Sequence, residues 1–427
     1  MAQQAKEGGT IRLLTYNTWG LKYVSKFRSQ RLKAIADLLA DVENKDYDYD
    51  IVALQEVWCE EDWNYIDKVC GKKYRYRRQF KSGIVAGPGL VILSKIAIEE
   101  SFLYRFPING RPSAFFRGDW YVGKGIAVTL LKPVNKNCYP LAILNSHMHA
   151  PYGPFDKSYS CHRACQAWDF TRIINMLKKA GYAVIQVGDL NSKPGSLPHR
   201  LFTIEAGLKD SWDQCHPDSD NHDISKLSPQ DQVNLAGVTC DSRLNTWTQN
   251  KKPHEACRLD YALIDSSLIK SFDPQVEFTQ LLPSPLNCSY SDHFAYSVNL
   301  DVSQKIETNV MGNDITYEEK VKVYIDLLEE IAHYRRHTIP FQSQWRKYHF
   351  CISIIIIILL HVLVFLTGIR SRSMSGFILF LAVIVGITGV VNGLIWYLGV
   401  RSEDRALQEV YMQVEDTLSA LKTAHSN

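Results

Sequence analysis

The chain has 427 residues and carries 48 Lys and Arg against 45 Asp and Glu, a formal net charge of +3. That balance excludes a chain held to polyanions by bulk charge, and 11% aromatic residues with only 24 Gly and 16 Pro exclude acidic disordered, collagen-like and low-complexity classes. A mean hydropathy of −0.17 is that of a water-soluble protein, but it averages over a composition break near residue 350.

In chain order, the opening MAQQAKEGGTIRLL has no apolar run of the kind a secretory signal needs. This predicts that the large N-terminal region stays cytosolic, with its cysteines as reduced thiols. No CxxC pair occurs, and Cys161, His162 and Cys165 do not read as a zinc set.

From about 11 to 301, short β-branched runs alternate with helical ones. Ile11–Tyr16, Ile51–Leu54, Leu90–Leu93, Ile126–Leu131, Leu141–Leu144, Ala183–Val187, Leu259–Ile264 and Phe294–Leu300 read as buried strands. Phe27–Leu39 and Cys161–Leu177 have helical spacing. Several consecutive strands flanked by helices predict two packed sheets in an α/β fold. Lys72 to Lys81 is a dense basic run interleaved with Tyr74, Tyr76 and Phe80, and it reads as a strand with a solvated basic face or a contact for anionic lipid. Asp210–Thr246 is polar, without a period, and reads as a long, partly ordered loop.

The chemistry-bearing residues fall at strand ends. TYNTWG places Asn17 there, LQEVW places Glu56, and LNSHMHA places Asn145, His147 and His149. VGDLNSKPG adds Asp189 and Asn191, RLDY adds Asp260, and SDHFAY adds Asp292 and His293. Taken singly, each is as readily a cap or turn residue; the ordered set carries the signal.

That set, GDxN then RxDY then SDH with an upstream Asn and QE, resembles the endonuclease/exonuclease/phosphatase superfamily of DNase I-like phosphodiesterases over roughly residues 11–301. The resemblance implies a four-layer α/β sandwich with the site at one edge of its sheets. It implies Mg²⁺ held by Glu56 with Asn17 near it, and Asp189 and Asn191 addressing nucleophile and phosphate. It also implies His147 and His293 flanking the phosphorus, with Asp260 orienting His293. The residue chemistry agrees. Mg²⁺ prefers oxygen ligands. Charge developing on a phosphodiester needs converging donors such as Asn191 and His147. Water needs a base whose pKa lies near neutrality, which suits His293.

TYNTWGLKYVSKFRSQRL, LQEVWCEED, KSGIVAGPGLVILSK and GDWYVGKG are similar to neutral sphingomyelinases, the animal type with two C-terminal transmembrane segments. The reaction implied is hydrolysis of sphingomyelin to ceramide and phosphocholine. Inositol phosphosphingolipids and lyso-phospholipids remain alternative substrates, and a nuclease or a non-enzymatic membrane scaffold remain rival classes. The near balance of charge over residues 1–302 disfavours nucleic acid as a partner. Phe115, Phe116, Trp120 and Tyr121 are either core or lipid- and choline-facing. Lys124, near Asp119, either forms an ordinary surface pair or reaches substrate phosphate.

Phe350 to Ile369 contains no charged residue and is long enough to span a bilayer, as is the run from Gly376 to Val400. Only Arg370 to Ser375 separates them, which predicts a transmembrane helical hairpin. Arg335, Arg336, Arg346, Lys347, Arg401 and Arg405 lie at its outer ends, against Arg370 and Arg372 in the loop. That bias predicts both tails in the cytosol, in an endoplasmic reticulum, other endomembrane or plasma membrane protein. Tyr317–Arg336 and the tail from Leu407 to Leu421 have amphipathic spacing; the tail pairs either with the first of these or with a second subunit. The predicted organisation is a catalytic domain at 1–302, a linker at 303–349, two spans within 350–400 and a tail helix at 401–427.

Overall fold

Ile11 and Leu13 face one way from the first strand, Leu14 and Tyr16 the other, and both sets are buried. The second strand repeats the pattern, with Ile51 and Ala53 on one side and Val52 and Leu54 on the other. A strand covered on both faces needs this near-continuous apolar run, and each fully buried aliphatic side chain contributes about 1.5–3 kcal/mol.

The computed structural model describes residues 8–151, 159–219, 222–304 and 315–426. The predicted linker's residues 305–314 and the first seven residues lie outside these. The chain divides into two units: Met1–Asn109 with Asp119–Val323, and Gly110–Gly118 with Tyr324–Asn427.

The first unit runs β1 (Thr10–Asn17), α1 (Arg28–Ala40), β2 (Ile51–Gln55), α2 (Glu60–Cys70), β3 (Tyr76–Gln79), β4 (Val91–Ser94), β5 (Ile98–Arg105), α3 (Asp119–Val122), β6 (Gly125–Leu131) and β7 (Leu141–His147). It continues with α4 (Ser160–Lys179), β8 (Ala183–Asp189), α5 (Leu197–Arg200), β9 (Lys209–Asp210), α6 (Ser211–Cys215), α7 (Pro229–Ala236), β10 (Asp260–Ile264), β11 (Lys270–Glu277) and β12 (Ala295–Asp301). One sheet has the order β11-β12-β1-β2-β4-β3, the other β5-β6-β7-β8-β10-β9. Ile11, Ile51 and Ile92 of the first sheet share a core with Ile143, Ile185 and Ala262 of the second. Ile35, Ala36 and Leu39 of α1 and Ile66 and Cys70 of α2 cover the outer face of the first sheet. The buried face of α4, including Ala164, Ala167 and Ile174, belongs to the other outer layer. This is the predicted four-layer DNase I-like sandwich. All eight predicted strands are present.

The parallel pairs β1–β2 and β7–β8 are what position the site, because each pair delivers two carboxyl ends side by side. Two bonded side chains join the sheets beneath it. Gln55 Nε2 donates to Asn145 Oδ1 (2.8 Å), and Asn145 Nδ2 donates to the carbonyls of Leu54 and Val91 (both 3.1 Å).

The basic run is largely consumed by local partners. Lys73 Nζ donates to the carbonyls of Asp41 and Tyr47, Arg77 pairs with Asp67, and Lys81 with Glu60. The polar 210–246 stretch contains α6 and α7; Ser228 caps α7, Pro229 starts it and left-handed Gly237 ends it.

In the second unit, α8 (Tyr317–Gly368, its residues up to Val323 belonging to the first unit) is one unbroken helix that runs from the amphipathic stretch through the first apolar run. Thr316 and Glu319 close its start reciprocally, as a capping box. After a tight turn come α9 (Arg372–Leu394), a π-turn at Ile395–Val400 and α10 (Arg401–Ser426). Two helices are thus long and apolar enough to cross a membrane. They meet through small residues: a Cβ on Gly389 would lie 2.5 Å from Ser353 Cβ, and one on Gly393 2.7 Å from Phe350. The tail lies along α8: Tyr334 Oη donates to Glu403 and Arg335 Nε to Asp404, while Leu407, Val410, Val414 and Leu418 are buried.

Candidate active site

Asn17 is the last residue of β1 and fully buried, and its side-chain NH₂ donates to two carboxylates. Glu56 Oε1 lies 3.1 Å away and Asp189 Oδ2 3.0 Å. Its own Oδ1 accepts from the backbone of Trp19. Asn17 therefore presents donors, not its oxygen, to the acidic groups.

Glu56 follows β2 with φ +61°, a left-handed backbone uncommon outside glycine. Gly20 makes that turn possible, since a Cβ there would sit 2.1 Å from the Glu56 carbonyl. Gly188 does the same near the end of β8: φ is +123° and a Cβ would meet the Ser146 carbonyl at 2.0 Å. Asp189 can then pair in register with His147 on one side and Asp260 on the other.

Around Asp189 the two histidines converge. His147 Nε2 is 3.6 Å from Asp189 Oδ2 and 4.0 Å from Glu56 Oε1. His293 Nε2 is 3.9 Å from the same Asp189 oxygen, and His293 Nδ1 is 2.8 Å from Asp260 Oδ2. Asp260 is wholly buried, and its backbone N–H donates to Thr239 Oγ1. Asn191, at φ +46°, donates its backbone N–H to Asp189 Oδ1 (2.9 Å) and its Nδ2 to the Met148 carbonyl (3.0 Å). The same carbonyl accepts from Lys124 Nζ at 2.7 Å.

Lys124 and Asp119 approach to 3.3 Å, and both are buried, so the ordinary surface pair is not what forms. His149 lies behind them, fully buried, with Nδ1 3.3 Å from Asp119 and its ring stacked on Tyr159. Trp120 and Tyr121 are half-buried, whereas Phe115 and Phe116 are exposed.

Burial pushes the Glu56 carboxyl up to about 7, and the neighbouring Asp292 carboxylate adds to the effect against the Asn17 hydrogen bond. Burial likewise raises Asp189 to about 6, opposed by His293. His147 is held well below the ordinary imidazole range by burial and by the Lys124 ammonium. For His293, burial works against the charged form, but the Asp260 and Asp189 carboxylates win and hold it well above that range.

Crowded, partly desolvated carboxylates of this kind are relieved by a cation, and the oxygens of Glu56 with Asp292 beside it suit a hard divalent ion. Asp189, Asp260 and His293 also place ligand atoms within 4.8 Å of one another and could hold a metal. Among the described residues, Cys161, His162 and Cys165 form no such group.

The structure thus brings together Asn17, Glu56, His147, Asp189, Asn191, Asp260, His293 and Lys124. Asp292 belongs with them through its field on Glu56, and its signal was present in the SDH triplet. Cys240, whose Sγ is 3.6 Å from His293 Nε2, had no motif to announce it.

Comparison with known proteins agrees with this geometry. The model of the Endonuclease/Exonuclease/phosphatase family matches residues 14–293. The chain is 48% identical to "Inositol phosphosphingolipids phospholipase C" of Saccharomyces cerevisiae over 97% of this chain and 91% of that one. It is 37% identical to the protein of the same name in Schizosaccharomyces pombe, over 90% and 88%. To "Sphingomyelin phosphodiesterase 2" of Mus musculus it is 34% identical, over 47% and 46%. The chain belongs to the endonuclease/exonuclease/phosphatase family.

Proposed function

We propose that the protein is a Mg²⁺-dependent phospholipase C of phosphosphingolipids that works at a membrane. The observation that carries this is the near full-length likeness to the two yeast enzymes, together with the cluster of Asn17, Glu56, His147, Asp189, Asp260 and His293. Both of those names specify an inositol phosphate head group, so that is the first substrate reading. Sphingomyelin is the second, favoured by the likeness to the mouse protein over about half the chain.

Glu56 is the proposed Mg²⁺ ligand, and Asn17 is the residue that fixes Glu56 and Asp189 in place. When bound, Mg²⁺ supplies positive charge for the phosphoryl oxygens and the departing alkoxide. His293 Nε2 accepts a proton from the attacking water, while Asp260 holds Nδ1–H and so sets the tautomer. Asp189 positions that water. His147, Asn191 and Lys124 are the proposed donors to the phosphoryl oxygens, the last two by turning from the Met148 carbonyl they share. Water adds its oxygen to phosphorus, the bond from phosphorus to the ceramide oxygen breaks, that oxygen takes up a proton, which offsets the one given to His293, and the products are ceramide and the head-group phosphate.

In the proposed topology the two long apolar helices form a hairpin that starts and ends on one side of the membrane, the cytosolic side by the charge bias of its flanking residues. Incubating the protein with vesicles of inositol phosphosphingolipid or sphingomyelin, with and without Mg²⁺, tests the function. Mass spectrometry should find ceramide and a phosphorylated head group; ceramide phosphate, or no product from either lipid, would overturn the reading.

A further inference from the structure

Two surface loops of the first unit carry bare apolar side chains, and the first of them leaves directly from the site. The first, residues 20–27, follows Asn17 and exposes Tyr23 (93%), Val24 (62%), Phe27 and Leu21. The second, residues 82–87, exposes Ile84 (68%) and Val85 (75%). Single exposed apolar residues are ordinary; clusters beside an active site mark an interaction surface.

Neither loop is loose. Buried Arg31 clamps the base of the first by donating to the carbonyls of Thr18, Trp19 and Lys26, and its guanidinium lies over the Trp19 ring. Trp19, Tyr23 and Phe27 all have left-handed backbones, at φ +48°, +69° and +50°. Such strain in non-glycine residues persists where surrounding structure imposes it. The second loop is fixed by the Ile84 N–H donating to the Tyr121 carbonyl (2.8 Å) and by the close seat of left-handed Gly83 against Val122. The two loops flank the first turn of α2, where Lys22 pairs with Glu61 and Lys81 with Glu60. The acidic charge between the apolar tips is thereby neutralised.

We infer that these loops form a bilayer-docking rim, in which Tyr23, Val24, Ile84 and Val85 enter the lipid interface on either side of the first turn of α2. The inference rests on the proposed lipid substrate, whose phosphodiester lies at the head-group level and must reach a buried site. The occupant is a bilayer and not a protein because the tips combine aliphatic and aromatic side chains with lysines, the composition of an interfacial anchor. The rim residues all belong to the catalytic unit.

The test uses the full chain reconstituted in vesicles. Two double variants are compared with wild type, Tyr23→Asn with Val24→Ser and Ile84→Ser with Val85→Ser; Asn tolerates the left-handed backbone at 23. On vesicle substrate each should raise the interfacial KM at least about tenfold, since each removes two apolar anchors. On a water-soluble short-chain phosphosphingolipid the rate should stay at the wild-type value. Equal loss on both substrates, or no change on vesicles, overturns the rim. A second readout needs no catalysis: Val24→Trp and Ile84→Trp should show added fluorescence quenching by brominated lipid. Absence of that quenching overturns docking, whereas failure of wild type on every phosphosphingolipid overturns the function alone.

Discussion

His293 Nδ1 and Asp260 Oδ2 are 2.8 Å apart, and Asp260 is wholly buried at the first position of β10, directly opposite Asp189. The proposed base is thus oriented by one carboxylate and faces a second. Both favour its charged form, so a neutral His293 exists only toward higher pH. The acidic limb of the pH–rate profile should therefore lie above the ordinary imidazole range. Asp260→Asn removes the principal raising charge and should move that limb to lower pH, while lowering kcat through loss of the tautomer. His293→Ala should lower kcat by about 10²–10⁴-fold with vesicle binding intact. A limb that stays put in Asp260→Asn would remove His293 from the base position.

Asn17→Ala tests how the metal ligand is held. The NH₂ that binds both Glu56 and Asp189 is lost. Losing a group that orients a ligand typically costs about 10–100-fold in metal affinity. The Mg²⁺ concentration for half-maximal activity should rise by that factor, and saturating Mg²⁺ should restore much of the rate. An unchanged Mg²⁺ dependence would place the ion away from Glu56.

Asn145→Ala addresses the support beneath the site. It would remove the amide that bridges the sheets to the Leu54 and Val91 carbonyls, while Gln55 Nε2 keeps its bonds to Thr15 and the Ala53 carbonyl. A buried hydrogen bond of this kind contributes about 0.5–1.5 kcal/mol net. A clear fall in the unfolding temperature of the catalytic unit is expected, and an unchanged one would show the bridge to be dispensable.

Much of this was readable in advance, for a physical reason. The two parallel strand pairs are buried on both faces, so they write long apolar runs, and their carboxyl ends write the NxW, QE, SH and GDxN signatures. What failed to show was amphipathic or exposed. The edge strand β5, IEESFLYR, alternates charge with apolar residues, β11 contains Pro274, and α2 begins with three acidic residues. The left-handed turn at Glu56, the Met148 carbonyl shared by Lys124 and Asn191, and the contact of Cys240 with His293 depend on chain segments far apart in sequence. No local pattern could report them. The unbroken passage of α8 from its amphipathic half into its apolar half was hidden by the change in composition, not in backbone.

The hairpin gives a topological expectation. In sealed microsomes, protease should reach both the catalytic unit and α10, leaving the Arg370–Ser375 turn protected. Gly389→Leu should loosen the helix pair, because its side chain would collide with Ser353; a crosslink between the two helices should then form less readily. Protection of the catalytic unit would reverse the topology.

The direct test of the chemistry is to run the reaction in ¹⁸O-labelled water and locate the label. Attack of water on phosphorus, with His293 as base, puts one ¹⁸O in the head-group phosphate per turnover and none in ceramide. Label in the ceramide hydroxyl, or turnover that continues in excess chelator, would contradict the account.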